Sequence, residues 1–234
     1  MGDQQQSPYV PALGFRCLTP WYDQVVARTT REATVKTALI RQAGMEPGHR
    51  VVDLACGTGT LALWAKQACP QAELLGFDAD AEMLSMAERK FAQTSVPVEF
   101  DRAMSFHLPC TDASVDRVLS SLFFHHLAWD DKRRTALEIY RILRPGGEIH
   151  IADWGKPTSP LMRGLFLPIQ ILDGFRNTSD NINGRLPRML EEAGFDAVSQ
   201  TRTFSTMFGT MALYRATKPR IKQPAFHAQE RTRK

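Results

Sequence analysis

The sequence contains no apolar run long enough to cross a membrane, and its cysteines are few and scattered. No apolar stretch approaches the length of a membrane-spanning helix, about 18–20 residues, so stable insertion in a membrane is not expected. The four cysteines include no C-x-x-C pair of the kind found in zinc and redox sites; they are Cys17, Cys56, Cys69 and Cys110. We therefore expect a reduced, cytoplasmic protein with no disulfides and no metal site.

We also expect neither a secretory leader nor a basic surface on the folded body. Residues 1–6 have neither a basic start nor an apolar core. The net charge is +4, but residues 217–234 hold six Lys and Arg against one Glu, so the tail carries +5 and the rest −1. A nucleic-acid groove needs clustered Lys and Arg on the domain itself, so nucleic acid is not an expected partner.

The 234 residues alternate between short apolar runs typical of strands and amphipathic helical patterns. This order predicts an α/β fold with a Rossmann-like, seven-stranded, mostly parallel sheet, helices on both faces and a C-terminal antiparallel hairpin. We expect a loose arm over 1–18, one domain over 19–216 and a disordered basic tail over 217–234. The predicted strands are 50–55, 73–77, 96–100, 116–121, 148–152, 197–204 and 207–216.

An apolar stretch interrupts the regular pattern after the fifth predicted strand. Residues 158–185 contain Pro160 and Pro168 and look like an inserted helical segment. We expect its apolar side chains to form a roof over an acceptor site; they are Leu161, Leu165, Phe166, Leu167, Ile169, Ile171, Leu172 and Phe175. A helix docked on the sheet, or a surface between two copies in a homodimer, is a close alternative.

The most informative stretch runs from a buried strand through two glycines into a helix. Gly57 and Gly59 let the backbone approach a ligand closely, because no Cβ intervenes. The spacing also fits the G-x-G-x-x-A pattern of nicotinamide dinucleotide sites, so an oxidoreductase is one alternative. Asp53, four residues before Gly57, argues against it, because a carboxylate would repel a pyrophosphate but suits an ammonium group. A strand-end carboxylate with a purely structural role is the other interpretation of Asp53.

A second aspartate follows the next predicted strand. Asp78 lies 19 residues after Gly59, where a carboxylate accepts hydrogen bonds from ribose hydroxyls. Met83, five residues later, can cover one face of an adenine, although an apolar helix position is more often core.

These motifs together resemble those of the class I S-adenosylmethionine-dependent methyltransferases. The resemblance rests on residues 51–60, 78–84 and 143–148, and residues 115–127 look like the fourth strand of the ubiquinone and menaquinone C-methyltransferase branch. It implies S-adenosylmethionine as cofactor and methyl transfer to an O, N or C atom of an acceptor. If the apolar stretch of residues 158–185 forms a roof over the acceptor site, the acceptor is small and lipophilic or aromatic.

The resemblance also implies roles for individual residues in holding the cofactor. Asp53, Ala55 and Gly57 would hold the methionine end, Asp78 the ribose, and Ala79 and Met83 the adenine. Met104 stands where the family often has an aspartate near the adenine amino group, so recognition would rest on Met104 packing and on backbone groups near Ser105. Tyr22 and Arg31 match positions that often close over the cofactor, and Arg31 could pair with its carboxylate.

Three residues are candidates for the reacting end. His125 and His126 follow the fourth predicted strand, and an imidazole can take a proton from a phenol, hydroxyl or amine near neutral pH. Asp153 ends the fifth strand and is the next candidate, unless it only caps the following segment. Packing or surface histidines are the alternative, and so is a non-catalytic protein that only binds the cofactor. An arsenite-type methyltransferase would need a thiol cluster, which the cysteine spacing does not indicate.

Overall fold

The computed structural model describes residues 29–94 and 96–220. Within them a single sheet has seven strands in the order β3-β2-β1-β4-β5-β7-β6. The strands from β3 to β5 pair in parallel, whereas β7 runs antiparallel to both β5 and β6. The predicted fold class is therefore confirmed.

The elements follow the predicted alternation along the chain. The strands are β1 (Arg50–Leu54), β2 (Glu73–Asp78), β3 (Glu99–Arg102), β4 (Val115–Ser121), β5 (Leu143–Trp154), β6 (Asp196–Thr206) and β7 (Gly209–Thr217). The helices are α1 (Glu32–Ala43), α2 (Thr60–Ala68), α3 (Ala81–Ala92), α4 (Trp129–Ile142), α5 (Pro160–Leu165), α6 (Leu167–Asp173), α7 (Phe175–Ile182) and α8 (Leu186–Glu192).

Two strand boundaries differ from the prediction for physical reasons. The third strand was predicted over 96–100, but Leu75–Asp78 of β2 pairs with Glu99–Arg102. Pro97 has no N–H to give to a ladder. β5 begins at Leu143 instead of residue 148, because Leu143 pairs with Val115 ahead of a register shift in β4.

The sheet separates two apolar cores, since side chains along a strand alternate between its faces. Val51 packs into the core that α1 and α2 cover, and Val52 packs into the core that α4 and α8 cover. Chain order reverses beside β1, because β2 lies on one side of it and β4 on the other. Ligands of open α/β sheets bind at this point, beyond the carboxyl ends of the strands.

The inserted segment forms three short helices, α5 to α7. Phe166 is buried against Trp154, with ring centroids 5.2 Å apart. The predicted roof is wrong for the apolar side chains that face solvent, which are Leu161, Leu167, Ile171, Leu172 and Phe175. The hydrophobic pattern could not show this, because helices of six to eight residues present only one or two turns to the sheet.

Among the described residues, no helix combines the length and the apolar character that a membrane crossing requires.

Strand β2 allows a first prediction about stability. A Cβ at Gly76 in β2 would lie 2.5 Å from the Phe100 ring. We expect Gly76→Ala to lower the free energy of unfolding by about 1–3 kcal/mol, because the packed ring must move. Gly164→Ala is the control, since a Cβ there meets nothing within 4 Å. Urea unfolding of both variants measures the effect, and equal stability of the two would contradict the packing described here.

Candidate active site

A cavity of about 520 Å³ opens at the carboxyl ends of β1, β2 and β4, at the predicted place. Eight predicted site residues lie in its wall, namely Ala55, Gly57, Asp78, Ala79, Met83, Met104, Ser105 and His126. The wall also includes Phe106, Ser121, Leu122, Phe123, Leu127, Asp130, Asp131, Arg176 and Asn177. The volume is in the range of small-molecule sites, about 300–1,000 Å³.

The loop after β1 is held in a strained, open conformation. Ala55 has φ 56°, Gly57 has φ 54° and Gly59 has φ 74°. A non-glycine residue at positive φ is costly and persists where surrounding structure enforces it, often at functional sites. The backbone N–H of Cys56 donates to the Phe77 carbonyl at 3.0 Å, which ties the loop to β2.

Asp78 fixes this loop from the end of β2. One carboxylate oxygen accepts the Gly57 N–H at 2.8 Å, and the other accepts the Asp80 N–H at 2.9 Å. Burial raises the pKa of Asp78, and the two backbone hydrogen bonds partly offset the increase. Asp78 thus both lines the cavity and determines where the Gly57 backbone lies.

Asp53 lies behind the loop rather than in the cavity wall. It is 1% exposed, and its Oδ2 atom is buried without a hydrogen-bond partner. Burial raises its pKa from an ordinary 3.8 to about 7, although Lys36 and the Ala62 N–H act in the opposite direction. A buried carboxylate oxygen without a partner is unusual, and it leaves an unused acceptor next to the ligand-binding loop.

The residues predicted to hold the adenine lie together in the cavity wall. Met83 is buried at the first turn of α3, which begins where Asp80 accepts the N–H groups of Glu82 and Met83. Met104 is 37% exposed and lies in the wall. The Ser105 hydroxyl bonds to Thr135 at 2.7 Å, so its backbone remains the group that faces a ligand.

Besides Asp53, two predicted cofactor contacts, Gly59 and Arg31, lie outside the cavity wall. Gly59 is not in the wall, and a Cβ there would be 3.1 Å from Ala87, so this glycine serves packing between the loop and α3. Arg31 is exposed and donates to the Ser205 carbonyl at 3.4 Å instead of facing the cavity. Tyr22 lies outside the described residues.

At the other end of the cavity, the three predicted catalytic residues form one cluster. His126 lies in the wall, whereas His125 and Asp153 are buried behind it. His125 Nδ1 is 2.6 Å from Asp153 Oδ1, and the two imidazole centroids are 4.0 Å apart. Burial, together with His125 and Lys132, lowers the pKa of His126 well below its ordinary value, so this imidazole is neutral at pH 7.

Sequence reasoning missed several wall residues. Leu122 has φ 57° directly after β4, and with Phe123 it could have been found from its place at the end of a strand that borders β1. Arg176 and Asn177 come from α7, and Asn177 Nδ2 donates to the His126 carbonyl at 3.0 Å. No motif marks these two residues, because the inserted segment reaches the cavity only through tertiary packing.

These residues fit S-adenosylmethionine. The ligand carries an ammonium group and a sulfonium. The loop end presents the open backbone at Gly57, and the buried Asp53 carboxylate behind the loop would favour the ammonium group by its charge. A Cβ at Gly57 would meet nothing within 4 Å, so the space beside this backbone is free for a ligand.

Comparison with known proteins shows the family of the chain. A family model described as "Methyltransferase domain" matches residues 51–147. A demethylmenaquinone methyltransferase of Deinococcus radiodurans is 30% identical over 173 residues, which are 71% of this chain and 69% of that protein. The chain belongs to the S-adenosylmethionine-dependent methyltransferase family. Membership decides against the nicotinamide oxidoreductase considered from the glycine spacing.

Other methyltransferases share parts of the chain. An arsenite methyltransferase of Halobacterium salinarum is 35% identical over 158 residues, which are 67% of this chain but only 39% of that protein. A phosphoethanolamine N-methyltransferase 2 of Haemonchus contortus, solved with S-adenosyl-L-methionine, has TM-score 0.71 and 17% identity, and the match covers 88% of this chain and 58% of that one. This structural likeness shows the fold. No cysteine among the described residues lines the cavity of this methyltransferase.

Proposed function

We propose that this methyltransferase transfers a methyl group to a small, lipophilic aromatic acceptor bound at the His126 end of the cavity. The observation that carries the proposal is the composition of that end. Leu122, Phe123 and Leu127, which lie next to His126 along the chain, supply apolar surface, and His126 is one of the polar groups beside them. An aromatic ring with a hydroxyl or carbonyl substituent matches this combination. The demethylmenaquinone methyltransferase among the relatives adds support.

The protein promotes methyl transfer mainly by aligning the acceptor with the methyl group and by excluding water from the cavity. Bound S-adenosylmethionine supplies an electrophilic methyl group on a sulfonium sulfur. Holding the acceptor in line with that methyl group can lower the barrier by up to about 7–11 kcal/mol in favourable cases. Asp78 and the loop fix one end of the cavity, and Phe123 and Leu127 fix the other. Aromatic faces near the sulfonium also favour a cation.

Among the predicted catalytic residues, we assign the direct acceptor contact to His126 and positioning roles to His125 and Asp153. His126 is the one of the three in the cavity wall, and as a neutral imidazole it offers one lone pair and one N–H. Asp153 accepts hydrogen bonds from the backbone N–H of Trp154 at 2.7 Å and from the His125 ring at 2.6 Å. It thereby fixes the His125 imidazole beside His126.

Formation of S-adenosylhomocysteine from a panel of acceptors tests the proposal. We expect kcat/KM to rise with apolar substituents on phenols and hydroquinones, and phosphoethanolamine to be a poor acceptor. Phe123→Ala should lower kcat/KM for the best acceptor at least tenfold while the cofactor Kd changes less than threefold. Phe175→Ala is the matched control, since this ring is exposed and outside the cavity wall. Turnover confined to charged aliphatic amines, or equal effects of the two variants, would contradict the proposal.

Other expectations from the sequence stay predictions: the arm, domain and tail boundaries, a cytoplasmic location, a homodimer and the lack of a nucleic-acid partner. A protein that binds the cofactor without catalysis would form no S-adenosylhomocysteine with any acceptor in this panel.

A further inference from the structure

Three side chains of types that can bind a metal ion, His125, His126 and Asp173, converge at the acceptor end of the cavity. His125 Nε2 lies 3.6 Å from one carboxylate oxygen of Asp173, and His126 Nδ1 lies 3.7 Å from the other. One ligand atom of each residue lies within 4.8 Å of the others. These separations are too long for hydrogen bonds, so the three side chains surround a space without closing it.

The surrounding residues orient the free lone pair of His125 into this space. Asp153 accepts from His125 Nδ1 at 2.6 Å, and because a carboxylate can only accept, Nδ1 carries a proton. In the tautomer with the proton on Nδ1, Nε2 has the lone pair that a metal ion can bind. Asp153 is itself fixed by the backbone N–H groups of Trp154 and His125. In metal sites, a histidine ligand commonly donates the N–H of its other ring nitrogen to a carboxylate, which orients the ring.

Within the described part of the chain, neither carboxylate of the cluster forms an ion pair with a Lys or Arg side chain. Asp153 is fully buried and the Asp173 side chain is 11% exposed, and their ion-pair contacts among the described residues are with the two imidazoles. Lys132, the cation nearest in chain to His126, pairs with Asp180 at 3.4 Å and donates to the Asn177 carbonyl. Two carboxylates in a buried environment are costly without a compensating cation.

We propose that His125, His126 and Asp173 bind a divalent transition-metal ion, with Zn²⁺ as the best match. Ligand atoms about 2.1 Å from a tetrahedral zinc ion are about 3.4 Å apart. The two imidazole nitrogens lie 3.6 and 3.7 Å from the two oxygens of Asp173, and one ligand atom of each residue lies within 4.8 Å of the others, so the side chains would move closer together on binding the ion. Two imidazoles and one carboxylate favour Zn²⁺, Fe²⁺, Co²⁺ or Ni²⁺ over Mg²⁺ and Ca²⁺, which prefer oxygen ligands.

A site with three protein ligands leaves one position free, and three-ligand sites of this kind are the catalytic rather than the structural type. Because His126 also lies in the cavity wall, the ion would be next to the acceptor end. The C-x-x-C criterion used on the sequence could not find this site: it involves no cysteine, and Asp173 is 47 residues after His126. The inference goes beyond the proposed function and does not depend on the identity of the acceptor.

Metal binding by the untagged full-length chain tests the proposal. After removal of bound metals with a chelator, calorimetric titration with Zn²⁺ should show one equivalent bound, and Co²⁺ should give the visible absorption bands of a four- or five-coordinate ion. Asp173→Asn and His126→Gln should each weaken Zn²⁺ binding at least 100-fold. Asp153→Asn should weaken it about 10–100-fold, as expected for a residue that orients a ligand.

His107→Gln is the matched control, because His107 is an exposed histidine outside the cluster. Its Zn²⁺ affinity should equal that of the wild-type chain. Circular dichroism and S-adenosylhomocysteine binding show whether the cluster variants are folded, and Asp173→Asn preserves the shape of the side chain. Equal Zn²⁺ affinity of folded Asp173→Asn and wild-type chains, or a comparable preference for Mg²⁺, would overturn the proposal.

Discussion

Asp78→Ala is expected to weaken binding of S-adenosylmethionine about 100-fold or more. The substitution removes the acceptors of the Gly57 and Asp80 N–H groups, and it removes a carboxylate from the cavity wall. A hydrogen bond to a charged group contributes about 1.5–3 kcal/mol. A loss of about 2.7 kcal/mol corresponds to a 100-fold change in Kd. Calorimetric titration with S-adenosylmethionine and S-adenosylhomocysteine measures the effect.

Two variants separate the role of Asp78 from a general loss of negative charge. Asp78→Asn keeps one oxygen acceptor and should bind the cofactor with an affinity between those of the wild-type and alanine forms. Asp101→Ala removes an exposed aspartate from the neighbouring strand β3, and its cofactor Kd should change less than threefold. A folded Asp78→Ala protein with wild-type affinity would exclude the proposed anchoring of the loop.

The glycine loop could be predicted from sequence because its groups are close along the chain. The segment from Val51 to Thr60 is one strand, one turn and the start of one helix, and Gly57 and Gly59 occupy positive φ. Asp78 was found for a different reason, since the end of a strand that pairs with β1 faces the same crevice.

The acceptor end was harder to predict because it depends on contacts between distant segments. Arg176, Asn177 and Asp173 reach His125 and His126 from the inserted helices, and no local pattern states how these helices pack. The apolar residues of the same segment misled the prediction, because apolar character does not show which side of a short helix faces the protein.

Asp53 shows that the depth of a side chain in the fold is hard to predict from sequence. Its type and position indicated a contact with a cation, but the structure places it behind the loop with an unpaired oxygen. Sequence can show that a carboxylate follows a buried strand, whereas its depth depends on how α2 packs over it. The Ala62 N–H of that helix lowers the Asp53 pKa by hydrogen bonding.

Asp53→Asn is expected to stabilise the cofactor-free protein at pH 8 and to weaken cofactor binding. Burial raises the folded-state pKa from 3.8 to about 7, so the folded form resists ionisation. The contribution of Asp53 to the free energy of unfolding therefore falls as the pH rises from 3.8 to about 7, and it stays constant at higher pH. The amide of Asp53→Asn removes the cost of ionising a buried carboxyl group, but it leaves a buried N–H without a partner. We therefore expect the free energy of unfolding to rise by about 1–2 kcal/mol at pH 8. Urea unfolding at several pH values should show the gain shrinking as pH falls towards 4.

The same ionisation gives cofactor binding a pH dependence. A cationic ligand beside the loop favours the charged form of Asp53, so the wild-type Kd for S-adenosylmethionine should be constant above pH 7 and rise as pH falls from about 7 to 5.5. Asp53→Asn should bind about 10–100-fold more weakly at pH 8, because a full charge near the ammonium group is lost, and its Kd should vary much less with pH. Asp101→Asn, at an exposed position, should follow the wild-type curve in both experiments. If Asp53→Asn instead keeps the wild-type pH profile of binding, the titrating group is a different one, and Asp53 serves only to hold α2 against the loop.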